Sequence, residues 1–212
     1  MQIRKDGITE LGKLLDDAIK FATDAHAGQM RKVGKKPYII HPMEAAAIAG
    51  ALTNDDEIIA AAILHDVAED TAYSLEDIRE RFGKRVAGLV STETEDKRVG
   101  QSKSDTWKVR KEETLAKLKS TCDEGVKIMW IADKLSNIRS YYAGVLAEGD
   151  AFFDRFNQKD KKMHEWYYRE ILDGTSSFCK TAQYIELEHL VNAVFCRTWV
   201  PNNSAKEEKQ NG

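Results

Sequence analysis

Between Ile8 and Ala27 the apolar residues Leu11, Leu14, Leu15, Ala18, Ile19, Ala22 and Ala25 recur at spacings of three and four, the stripe of an amphipathic helix. Gly28 to Ile40 breaks that period with Gly34, Lys35-Lys36 and Pro37 and reads as a basic loop. His41-Pro42 opens a second helix, with Pro in its favoured first turn, and Met43 to Leu52 is Ala-rich enough to pack closely. Asn54 or Asp55 caps a third helix. The body of that helix, Ile58 to Leu64, is apolar on every side, which predicts a central, buried position. Yet it runs straight into His65-Asp66-Val67-Ala68-Glu69-Asp70, four ionisable groups within six residues. Burying that much charge is costly unless it is paired or bound to metal.

Further along, Ser74 and Asp77 form a capping-box pattern that starts a short helix, and Gly83 ends it. Lys84 to Val90 predicts another helix, Thr92 to Ser104 is charged and without period, and Asp105 caps a helix to about Lys119. In Val126 to Tyr142, Ile128, Ile131, Leu135, Ile138 and Tyr142 share one face, and Trp130, Asp133 and Asn137 share another. Ala147 to Lys162 reads as a polar connection whose Phe152, Phe153 and Phe156 would offer a surface for association if exposed. Helices are expected over Met163 to Asp173 and Ser176 to Phe195, and a disordered tail over residues 201–212.

Only three Pro and 13 Gly in 212 residues disfavour a turn-dense β fold and favour helices. The length suits one domain over residues 1–200. The apolar run Ile58–Leu64 is far short of the ~20 residues that span a bilayer, and no apolar stretch follows the charged N-terminus, so no membrane partner and no secretory signal are expected. Three scattered Cys form no disulfide or thiolate-metal pattern, which suits the cytoplasm. A net charge of −3 argues against a general nucleic-acid binder while leaving room for a local basic pocket. One sequence leaves the oligomeric state open.

Imidazoles and ionised carboxylates converging from rigid helices make divalent-metal sites, and His41, His65, Asp66 and Asp133 are the candidates. Two His with two carboxylates suit Mn²⁺ or Fe²⁺ and do not exclude Zn²⁺. Glu69 and Asp70 fall one turn beyond His65 and Asp66 on the same faces. The bland alternative is a solvated helix end, but acids at a helix C-terminus oppose the macrodipole.

Three segments in order, AHAGQMRKVGKKPYIIHP (Ala25 to Pro42), LHDVAEDT (Leu64 to Thr71) and IADKLSNIR (Ile131 to Arg139), resemble the HD-type hydrolase domain of RelA/SpoT proteins and the stand-alone small alarmone hydrolases. SLEDIRERFGKRVAGLV (Ser74 to Val90) is similar to the family's following segment, and the resemblance places a motif core at 8–145 with a weaker helical continuation at 163–195. The resemblance implies an all-α fold, an HD helical bundle with the motif on a central buried helix, and a metal held by His41, His65, Asp66 and Asp133. It implies hydrolysis of the 3′-pyrophosphate of guanosine tetra- and pentaphosphate to GDP or GTP plus pyrophosphate. Glu69 and Asp70 would position or deprotonate the attacking water. Arg31 and Lys32 would line the nucleotide, Asn137 would contact its ribose, and Ser140 stands beside it. Without the motif, the Arg31 loop would read as an ordinary solvated basic segment.

Other readings are narrower. His26 is expected to pin its loop, and Trp166, Tyr167 and Tyr168 to pack in the core. His164 and His189 are expected at packing or surface positions, and Glu93, Glu95 and Asp96 in a solvated loop from which Lys97 and Arg98 could reach a phosphate. No segment resembles the family's synthetase half, so synthesis is not expected. The rival readings are the same chemistry on an adenosine alarmone or NADPH, a non-catalytic nucleotide sensor, and a helical interaction protein.

Overall fold

The structure is a computed structural model that describes residues 10–96, 98 and 100–196. The helix start at Ile8, Lys97 and the tail from Pro201 lie outside the described residues. Among the described residues there is no β-strand, only an isolated bridge between Met30 and Pro37 that closes the basic loop. The helices are α1 Glu10–Ala25, α2 Ile40–Gly50, α3 Asp56–Leu64, α4 Val67–Asp70, α5 Leu75–Phe82, α6 Lys84–Glu93, α7 Trp107–Ser120, α8 Glu124–Glu148, α9 Lys161–Gly174 and α10 Ala182–Phe195.

At the centre is α3, packed against α1, α2, α6 and α8. Ala60, Ala61 and Ala62 let those neighbours approach, while Ile63 and Leu64 are fully buried. Each such Leu or Ile contributes about 1.5–3 kcal/mol relative to exposure. Asp55 caps α3 by accepting from the Glu57 amide at 3.0 Å. The capping box of α5 forms as expected, with the Ser74 hydroxyl accepting from the Asp77 amide and the Asp77 carboxylate accepting from the Ser74 amide. Gly83 then turns the chain at φ +90°, a conformation that favours glycine.

The longest helix, α8, outruns its expected span at both ends. Asp123 caps it by accepting from the Gly125 amide at 2.8 Å, and Gly149 at φ +64° stops it. It packs along α2 and α10, which sets Asp133 opposite the start of α2. Four boundary readings need correction. The α6 helix continues to Glu93, into the stretch expected to be structureless. Asp105 does not cap α7; Thr106 holds that position without a side-chain capping bond, its hydroxyl donating back to the Ser102 carbonyl, and the Asp105 carboxylate accepts from Ser104. The last helix starts at Ala182 because Thr181 caps it, leaving Ser176–Phe178 as a separate 3-10 turn. A 3-10 turn over Gly149–Arg155 also replaces the expected polar connection.

That turn buries Phe152 and Phe153 and half-buries Phe156 around Tyr141, so these rings are core rather than a surface for association. Gly144 makes this packing possible, since a Cβ there would overlap the Phe152 ring. Gly144→Ala is expected to cost about 1–3 kcal/mol of stability through overpacking. Urea unfolding tests it: an unchanged midpoint would mean that the ring can move aside.

Candidate functional site

Three helices deliver the side chains that converge at the floor of a cavity of about 680 Å³. His41 comes from the first turn of α2, His65 from the end of α3, and Asp133 from the middle of α8. Asp66 follows in the break between α3 and α4, and Glu69 and Asp70 ride on α4 itself. His65 and Asp66 both keep right-handed helical backbone angles, and their side chains meet at the same point.

The two imidazole Nε2 atoms face each other at 3.1 Å. His41 Nε2 lies 3.0 Å from Asp133 Oδ1 and 3.5 Å from Asp66 Oδ2. His65 Nε2 lies 3.0 Å from Asp66 Oδ2 and 3.6 Å from Asp133 Oδ1. The far sides of both rings are committed. His65 Nδ1 is 2.8 Å from the Ala62 carbonyl, which can only accept, so Nδ1 carries the proton. His41 Nδ1 is 2.8 Å from the Ser136 hydroxyl.

Electrostatics follow from burial and charge. Burial pushes the Asp133 carboxyl up, but Lys134 and then the two imidazoles outweigh it and hold the group well below the usual carboxylate range. Burial pushes the His41 imidazole down, against Asp133 beside it. His65 is raised because Asp66 and Asp133 overcome the burial penalty. Glu69 is pushed up to about 7 by burial first and then by the carboxylates of Asp66, Glu95 and Asp70. Burial and Asp66 raise the Tyr38 phenol, whose O–H donates to Asp66 Oδ2 at 2.6 Å.

The basic loop folds over the same cavity. Arg31 Nη2 donates to Asn137 Oδ1 at 3.1 Å and to Ser140 Oγ at 3.3 Å, and Asn137 Nδ2 donates to Asp133 Oδ1 at 2.5 Å. Arg31, Lys32, Asn137 and Ser140 all line the cavity, together with His41, His65, Asp66, Glu69, Asp70 and Asp133. His26 is buried and pins the loop as expected: Gln29 Nε2 donates to the Asp70 carbonyl at 2.7 Å, leaving Gln29 Oε1 to accept from His26 Nδ1 at 2.9 Å.

The opposite wall was not foreseen. Glu93 and Glu95 are buried rather than solvated, Glu93 paired with Lys134 and Glu95 with Arg110 and Lys111. Lys134 also pairs with Asp133 and lies over the Trp130 ring. Trp107, Tyr141, Phe156 and His164 complete that wall with Tyr167 and Tyr168, which are packed as expected and line the cavity as well. His189 is exposed. Arg98 pairs with Glu113 on α7. Two acids, Glu93 and Glu95, preceding the basic residues Arg110 and Lys111 were the available signal, but pairing across 15–41 residues is set by the fold.

The HD-domain profile matches residues 18–150, more than half of the chain. The chain belongs to the HD-domain family. It is 39% identical over 127 residues to the guanosine-3′,5′-bis(diphosphate) 3′-pyrophosphohydrolase of Aquifex aeolicus, a match covering 59% of this chain and 17% of that protein. The bifunctional (p)ppGpp synthase/hydrolase SpoT of Escherichia coli is 37% identical over 135 residues, covering 60% of this chain and 18% of SpoT. This HD-domain chain therefore spans less than a fifth of the length of these curated relatives. A solved structure of a metazoan orthologue of SpoT, described as hydrolysing ppGpp, superposes with a TM-score of 0.66 at 26% identity over 86% of this chain and 96% of that one. The RelA/SpoT resemblance of the three motifs is met by these relatives, and the all-α HD fold by this structure.

A divalent metal fits the HD-domain donor set. Two ligands each about 2.1 Å from one ion stand roughly 3 Å apart when they subtend a right angle, and the two Nε2 atoms are 3.1 Å apart. The donor atoms of His41, His65 and Asp133 all lie within 4.8 Å of one another. With both Nδ1 atoms engaged elsewhere, the Nε2 lone pairs are left to point at a cation. Among the described residues no helix is long and apolar enough to cross a membrane.

Proposed function

We propose that this protein is a metal-dependent phosphohydrolase that removes the 3′-pyrophosphate of guanosine tetra- and pentaphosphate, giving GDP or GTP and pyrophosphate. The observation that carries this reading is the convergence of His41, His65, Asp66 and Asp133 in the same cavity as the carboxylates of Glu69 and Asp70 and the cations of Arg31 and Lys32. Two imidazoles with two carboxylates form a set of intermediate hardness, which favours Mn²⁺, with Fe²⁺ or Zn²⁺ as alternatives. When bound, such an ion lowers the pKa of water and neutralises charge on phosphoryl oxygens.

The chain's own groups divide the remaining work. Glu69, with its pKa near neutrality, is suited to take a proton from the attacking water and hold it at a carboxylate oxygen. Asp70 lies beside it, with its backbone carbonyl accepting from Gln29 and a carboxylate oxygen 3.4 Å from the Tyr38 hydroxyl. Arg31 presents a planar guanidinium 6.0 Å from the Tyr38 ring centroid, free to stack on a base or fork onto a phosphate once it exchanges Asn137 and Ser140 for substrate. Asn137, released from Arg31, is placed to meet a ribose hydroxyl. Three exposed free cysteines suit a reducing cytoplasm.

Arg31→Ala removes charge-assisted contacts worth about 1.5–3 kcal/mol each, so kcat/KM is expected to fall roughly 10- to 100-fold, chiefly through KM. Steady-state kinetics check this; an unchanged KM would place the substrate elsewhere. The function itself is tested by pyrophosphate release from guanosine 3′-diphosphate 5′-diphosphate by metal-stripped protein, with and without Mn²⁺. Release that requires Mn²⁺ and leaves GDP supports the proposal. No release from metal-loaded protein would overturn the substrate and direct the search to adenosine alarmones and NADPH. Failure to bind metal would return the sensor and scaffold readings.

A further inference from the structure

We infer that Glu44, acting through Ser136, is a positioning residue that fixes which nitrogen of His41 faces the metal. The inference rests on the metal reading of the site. Glu44 lies on α2, one turn beyond His41, and does not line the cavity. Its Oε2 accepts from the Ser136 hydroxyl at 2.7 Å. A serine hydroxyl has one proton, and Ser136 gives it to a carboxylate that can only accept. Toward His41 Nδ1, 2.8 Å away, the same oxygen must therefore accept. His41 consequently carries its ring proton on Nδ1 and presents the Nε2 lone pair to Asp133, His65 and Asp66. Ser136 is fully buried, which leaves little room for another partner to set this direction.

The carboxylate that dictates this is itself clamped. Glu44 Oε1 accepts from Arg139 Nη1 at 2.9 Å, and Arg139 turns its Nε and Nη2 onto Glu186 in a bidentate pair at 2.7 and 2.8 Å. The chain of contacts runs from α10 through Arg139, Glu44 and Ser136 to His41, and every donor and acceptor in it has a defined sense. His65 needs no such device, because its Nδ1 donates to a backbone carbonyl.

Glu44→Gln tests the inference because it changes one acceptor into a donor with almost no change of shape. If Arg139 keeps the amide oxygen, the new NH₂ faces Ser136 and makes its oxygen accept. The Ser136 proton then turns to His41 Nδ1, which must lose its own proton, and the ring proton moves to Nε2. In the metal-free protein, nitrogen-resolved NMR of the imidazoles should show His41 as the Nδ1–H tautomer in the wild type and as Nε2–H in Glu44→Gln. Mn²⁺ affinity, measured by competition with a chelating dye, should fall roughly 10- to 100-fold, with the melting temperature of the metal-free protein little changed. Ser136→Ala should lose affinity in the same direction and serves if Glu44→Gln does not fold. An unchanged His41 tautomer together with wild-type Mn²⁺ affinity in either variant would overturn the inference. Absence of Mn²⁺ binding by the wild type would defeat the metal reading instead, and the tautomer comparison would still decide the role of Glu44.

Discussion

Asp133→Ala is expected to abolish metal binding and turnover together. Asp133 Oδ1 is the carboxylate oxygen nearest to His41 Nε2, while Oδ2 is taken by Lys134. Losing it removes an anionic donor, and without a bound ion the loss of several kcal/mol of charge stabilisation corresponds to a rate drop of roughly 10³-fold or more. The substitution also strips Lys134 of one of its two carboxylate partners. Breaking a buried pair costs on the order of 3–5 kcal/mol, so Asp133→Ala is expected to melt earlier as well. Asp133→Asn separates the effects, since it keeps shape and a hydrogen-bonding oxygen while losing the charge. Mn²⁺ titration beside turnover and melting provides the check. Retention of metal by Asp133→Ala, with loss of metal on substituting Glu69, would reverse the assignment of ligand and base.

Glu69→Gln should do the opposite: bind Mn²⁺ and fold like the parent, yet lose a factor of ~10²–10⁴ in kcat, the range for removing a general base. The pH profile adds a sharper signature. Burial, then the neighbouring carboxylates, raise the Glu69 pKa to about 7, and a base acts only when ionised. Activity of the parent should therefore rise with pH as the carboxylate ionises and level off above that value. A divalent cation beside Glu69 favours the charged form and moves this limb to lower pH in the loaded protein. Glu69→Gln should lack the limb. An equally steep acid limb in the variant would assign proton transfer to another group, with Asp70 the nearest candidate.

Much of this site could be read from residues alone, for a local reason. An all-apolar helix that ends in His65 and Asp66 is inconsistent unless the charges serve a purpose, and Asp133 and Asn137 share a helix face by simple periodicity. Caps such as Asp55 and Ser74 act within three residues and were equally legible, whereas Asp105 was misread and the cap at Asp123 was not foreseen. What stayed hidden depends on distant partners. Glu93 and Glu95 look like solvent-facing acids until Lys134, Arg110 and Lys111 are brought beside them. Tyr38 sits in a basic loop whose spacing gives no hint that its hydroxyl meets Asp66. Phe152 and Phe153 carry no helical period, so their burial against Tyr141 emerges only once α8 and the 3-10 turn pack together.

The cavity wall is assembled from two stretches of chain. His41, His65, Asp66, Asp133, Glu69, Asp70 and the Arg31 loop fall within residues 18–150, the span shared with the HD family, whereas Asn157, Gln158, His164, Tyr167 and Tyr168 come after it. Part of the cavity lining thus comes from residues outside the span shared with the family. Substitutions in the later stretch would alter the lining of the cavity without replacing His41, His65, Asp66, Asp133 or Glu69.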